Sequence, residues 1–188
     1  MKLTLRKANA LQTAIQDHIK TIDVNTTVNL NEFQNAPAEL DRARQELVAN
    51  DARRDALTKT VYAIRGLIGT ANATSGVSNL LADAAYIDKR IGHLKGLTEA
   101  DVVEGAEVIS GKLDKIRTRQ SNTHSYYDKD SVTSGVLTAE QVAGFKTDLL
   151  NLKKQKQNIN DKVLELNVST QIELSDDVVA LLQAEQLV

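Results

Sequence analysis

The sequence predicts a mainly α fold, an antiparallel bundle or coiled coil of long helices with a small two-stranded β element. Two aliphatic seams carry most of that expectation. One runs Leu40, Ala43, Leu47, Asn50, Arg54, Leu57, Val61, Ile64, Ile68, and the other Val142, Phe145, Leu149, Leu152, Lys156, Ile159, Val163, Leu166. Both alternate steps of three and four residues over four heptads, the spacing that keeps one edge of a helix against a neighbour. Composition agrees: 188 residues hold no Cys, no Trp, one Pro and 3% aromatics, so the core must come from Leu, Ile, Val and Ala. The β element is expected from two short runs of period two, residues 24–30 and 168–174.

The elements follow in order. Leu5, Ala8, Leu11 or Gln12, Ile15, Ile19 and Ile22 recur at helical spacing and predict an amphipathic first helix. After it, Val24, Thr26, Val28 and Leu30 alternate with polar residues, as a half-buried strand does. Pro37 suits the first turn of the next helix, where its missing N–H costs nothing. That helix is expected to stop in GTANATSG, residues 69–76, which is rich in turn and capping residues. Leu80, Ala84, Ile87, Ile91 and Leu94 define a third helix, with a break expected near residues 96–99 and a less regular continuation to Ile116. Residues 119–135 read as a long polar loop or a loose hairpin. Thr138 and Gln141 then form a capping box for the last long helix. The second strand is expected to pair with residues 24–30, and Ser175 to cap a short terminal helix begun by Asp176 and Asp177. One helical domain, residues 1–174, with a helical extension, 175–188, is the expected organisation.

Charge and motifs exclude more than they assign. Lys and Arg number 23 against 25 Asp and Glu, a net charge of -2 that offers no general attraction to nucleic acid. The absence of Cys excludes disulfides, thiolate metal sites and a Cys nucleophile. His18, His93 and His124 are far apart, and no phosphate-binding loop, nucleophile elbow or zincin motif occurs. No catalytic, cofactor or metal-ligating residue is therefore expected. Charges run through the N-terminal segment and no apolar stretch reaches bilayer length, so the expectation is a cytoplasmic or virion protein without a signal peptide or transmembrane segment.

Three polar residues interrupt the seams: Asn50, Arg54 and Lys156. A polar group at such a position costs stability but penalises misaligned pairings, so they are expected to set register. Arg54 and Lys156 are expected to snorkel or to meet carboxylates such as Asp55, Asp161 or Glu165. Tyr126 and Tyr127, adjacent in the polar loop, are expected either to contact another protein or to anchor the loop under the bundle.

MKL opening an Ala/Leu-rich helix, NTTVNLNE, IRGLIGTANATSG and the closing LNLKKQKQNINDKVLELNVSTQIEL together resemble the septicolysin-like family of small helical bacterial and phage proteins. The shared features are a helix ending at Ile68, Asn72, Ala73 and Thr74, and a charged helix running into Asn167, Thr170, Ile172 and Leu174. Residues 97–116 and SDDVVALLQAEQLV are additions to that pattern. The resemblance implies no catalytic residues; its phage members imply a virion or accessory role, and its name a membrane-active, cytolysin-like alternative. Asp101, Glu104 and Glu107 oppose entry of the Gly-punctuated segment into lipid. The leading expectation is a non-enzymatic assembly or interaction protein. Helices about 40 Å long have more apolar edge than one thin chain covers, so a homo-oligomer is expected.

Overall fold

The computed structural model describes residues 1–120 and 131–188. Their elements are β1 (Lys2–Thr4), α1 (Leu5–Thr21), α2 (Ala36–Thr74), α3 (Val77–Thr98), α4 (Ala106–Gln120), α5 (Ala139–Ser169), β2 (Gln171–Glu173) and α6 (Asp176–Ala184). The chain is mainly α with one small antiparallel sheet, and both heptad seams lie on unbroken helices. It divides into two compact units, Met1–Leu81 with Asp161–Val188, and Ala82–Asn160.

In the first unit, α1 begins where the Thr4 hydroxyl accepts from the Lys7 N–H at 3.3 Å, leaving Leu5, Ala8, Leu11 and Ile15 buried along one face. That stripe is covered by Leu57, Val61, Ile64, Ile68 and Ala71 of α2. The two helices run antiparallel: the Asn50 side-chain amide donates to the Asp23 carbonyl at 2.8 Å, just beyond the end of α1, while Ile19 lies beside Thr58 and Val61. Leu182 of α6 is fully enclosed in the same core. Each such aliphatic side chain contributes about 1.5 to 3 kcal/mol by leaving water.

The α2 helix opens on Asn35, whose side chain accepts from the Ala38 N–H, with Pro37 in the first turn. It ends within residues 69–76, as expected. It continues through Gly66 and Gly69 to Thr74, 39 residues or about 58 Å. Each internal glycine costs up to about 1 kcal/mol, but burial of Ile68 and Ala71 on the same face outweighs it. The chain turns only at Gly76, whose φ of 82° is natural to a residue without a Cβ.

The sheet corrects one expectation. Strand β2 pairs with β1, Lys2 opposite Glu173, Leu3 opposite Ile172 and Thr4 opposite Gln171. Backbone bonds from Leu5 to Thr170 and from Leu174 to Met1 extend the ladder at both ends. Residues 24–30 form no strand. They follow α1 whereas β1 precedes it, and the 17 residues of that helix set the two places about 25 Å apart. Ser175 occupies the N-cap backbone position of α6, but its hydroxyl makes no capping hydrogen bond.

In the second unit, α3 and α5 run antiparallel, since Lys156 pairs with Asp88 at 2.6 Å while Leu137, before α5, bridges to Val102, after α3. The expected break occurs, with α3 ending at Thr98 and α4 starting at Ala106. The expected capping box is present: Gln141 N–H donates to the Thr138 hydroxyl at 3.1 Å, and the Thr138 N–H donates to the Gln141 side chain at 2.9 Å.

Candidate interaction surface

Unequal coverage of the seams is the main functional feature. On α3, Ile87, Ile91 and Leu94 are buried, as the inner edge of a helix pair should be. On the facing part of α5 only Val142 is buried; Phe145, Leu149, Leu152, Lys156 and Ile159 are all half-buried. Leu150 beside that seam and Tyr86 on α3 are 58% and 68% exposed. One α-helical neighbour covers only part of a 3.5-residue stripe, so the rest of this edge meets water.

A similar edge occurs in the first unit. Leu164 and Val168 of α5 are exposed and line, with Arg6 and Asn9, an open groove of about 530 Å³. Along the N-terminal half of α2, Leu40 is exposed and Ala43, Leu47, Asn50 and Arg54 are half-buried. The connecting segment lies beside them: Asn25, Thr26, Thr27 and Val28 share a groove of about 430 Å³ with Leu40, Ala43, Arg44 and Leu47.

The three polar seam residues are therefore in different situations. Asn50 anchors the connecting segment through the Asp23 carbonyl. Lys156 meets Asp88, while Glu165 pairs with Lys162 and Asp55 with Lys59. Arg54 stays half-exposed on α2. Tyr126 and Tyr127 lie outside the described residues.

A polar cluster that sequence reasoning missed ties three elements together. Glu185, just past α6, accepts from Arg53 Nε at 2.5 Å through one oxygen and from Arg53 Nη2 through the other. His18 Nε2 lies 2.8 Å from that second oxygen. The forked Arg53 contact, helped by His18, holds the Glu185 carboxyl down at about 2, and Glu185 in turn raises Arg53. With both oxygens engaged, Glu185 is a clasp rather than an acid or base. No local signal could have found it, because its partners lie 132 and 167 residues away.

In the second unit the segments 97–104 and 133–137 border a cavity of about 630 Å³. The Val103 N–H donates to the Leu137 carbonyl at 2.8 Å, and Gly135 lies so close to Asp101 that a Cβ would sit 1.9 Å from its carbonyl oxygen. Among the described residues no three His, Asp or Glu side chains converge as a metal-holding group, and no helix is long and apolar enough to cross a membrane. Compared with protein-family models, curated proteins and solved structures, the chain matches none.

Proposed function

We propose that this chain is a non-enzymatic helical assembly protein whose open seams are completed by further copies of itself. The observation that carries the reading is the α5 edge, where Phe145, Leu149, Leu152 and Ile159 keep heptad order yet are not fully buried. A stripe of that kind gains its remaining burial when another helix docks, at about 25 cal/mol for each Å² of apolar surface removed from water. The exposed Leu150 in the same unit widens the available surface. The resemblance to septicolysin-like proteins supplies the setting, a structural or accessory component of a phage particle.

Sedimentation equilibrium of the purified chain tests the assembly. A mass of two or more chains at micromolar concentration is expected, with dissociation favoured by Leu149→Glu and Leu150→Glu. A single-chain mass at every concentration overturns the reading. For the setting, mass spectrometry of purified particles from the native host should find the chain in stoichiometric amount.

A further inference from the structure

Phe33 is 90% exposed, more than any other large apolar side chain among the described residues. Yet the turn that carries it is well tied. The Gln34 N–H donates to the Asn31 carbonyl at 3.2 Å, closing a β-turn with Glu32 and Phe33 at its tip. Asn31 Oδ1 accepts from the Phe33 N–H at 3.0 Å, and the Asn31 N–H donates to Gln34 Oε1 at 2.9 Å. A ring left in water contributes nothing to the core, whereas a ring on a preorganised turn is a ready anchor, because little ordering entropy remains to be lost when it docks.

The same unit offers a seat for such a ring. Leu164 and Val168, one turn apart on α5, are 64% and 52% exposed and form the apolar side of the groove that Arg6 and Asn9 of α1 also line. Charge agrees with the fit. Glu32 beside Phe33 and Arg6 at the groove both lack an ion-pair partner among the described residues, while Glu165, the acid on the groove, is taken by Lys162 at 2.8 Å. Tip and groove cannot meet within one copy. Ile19 lies beside Thr58 and Val61, and from that level α1 leads back to Arg6 while the antiparallel α2 leads back to Ala36 in the opposite direction, which sets the two features about 50 Å apart.

We propose that Phe33 of one copy seats on Leu164 and Val168 of the next, with Glu32 meeting Arg6. The inference rests on the self-association proposed above and names one of its contacts. Because the two surfaces differ and lie at opposite ends of the first unit, the contact is head-to-tail. Each copy that docks presents a further Phe33 tip, the arrangement that builds a ring or a filament.

Phe33, Leu164, Glu32 and Arg6 are all exposed, so substituting them leaves the core intact. In sedimentation velocity, Phe33→Ser and Leu164→Asp should each weaken self-association about tenfold or more, with unchanged helical circular dichroism. Mixing the two variants should recover a two-chain species, since an intact tip then meets an intact groove. Glu32→Arg and Arg6→Glu should each weaken assembly, and combining them in one chain should restore it, which the loss of an unrelated surface charge would not do. If the unmodified protein assembles but Leu164→Asp leaves assembly unchanged, whatever Phe33→Ser does, this contact is wrong and self-association stands. A single-chain mass for the unmodified protein removes both.

Discussion

Arg53 and Glu185 form a forked ion pair across 132 residues of sequence, one guanidinium nitrogen on each carboxylate oxygen. His18 joins at 2.8 Å, so the segment after α6 is fastened to both α1 and α2. The carboxylate side chain is only 8% exposed, less than the carboxylates of the other ion pairs among the described residues.

This clasp gives stability a defined acid dependence. The Glu185 carboxyl is held at about 2 instead of 4.5. A depressed acid pKa stabilises the fold fully above the ordinary value, and the contribution is lost as pH falls from about 4.5 toward 2. Because Arg53 is 44% exposed, solvent screening reduces the contribution to about 1 to 2 kcal/mol. Urea unfolding of Glu185→Gln should show that deficit at neutral pH, with the gap to wild type narrowing through the same acid window.

The residue after Glu185 offers the opposite effect. Gln186 has a φ of 57°, with Gln186 N–H bonded to the Gln183 carbonyl and Leu187 N–H to the Leu182 carbonyl. These bonds make a Schellman end to α6, and its left-handed position favours glycine. Gln186→Gly should raise stability by about 0.5 to 1 kcal/mol, visible as a higher midpoint in thermal unfolding.

Gly135 tolerates no side chain. Its Cβ would meet the Asp101 carbonyl oxygen at 1.9 Å and the Val102 carbonyl carbon at 2.8 Å, backbone atoms that cannot swing aside. Gly135→Ala should cost about 2 to 3 kcal/mol and break the Val103 to Leu137 hydrogen bond. Faster hydrogen exchange at the Val103 amide is the expected signature.

Lys156 and Asp88 should matter little for stability. Their side chains are 35% and 53% exposed, and an ion pair so hydrated couples by about 0.5 kcal/mol. A double-mutant cycle with Lys156→Ala and Asp88→Ala, repeated at high salt, should give that value and then lose most of it.

What could be read in advance was whatever repeats locally. The α5 seam from Val142 to Leu166 and the Thr138–Gln141 capping box depend on residues within one or two turns of each other, and both are present. The end of α2 falls within residues 69–76 as expected, but only at Thr74, because Gly69 and Asn72 are poor helix formers by themselves and burial of Ile68 and Ala71 against α1 decides their conformation. The strand partner was misjudged for a related reason: alternation at residues 24–30 is real, but alternation does not say which end of α1 β2 occupies. On the candidate surface, the heptads gave the position of the α5 edge and could not give its half exposure, which depends on how many helices cover it. Glu185 was illegible altogether, since a lone carboxylate acquires its role only from His18 and Arg53 brought near it.

The pairing of Lys2–Thr4 with Gln171–Glu173 also dictates an order of events during synthesis. The unit holding the N-terminal strand is discontinuous, and its core lacks Ile172, Leu174 and Leu182 until the ribosome has made them. Residues 82–160 are contiguous and can collapse while translation continues. The nascent α1 and α2 meanwhile wait with an unfinished apolar face, so contacts of very long sequence separation complete the fold last and set its pace.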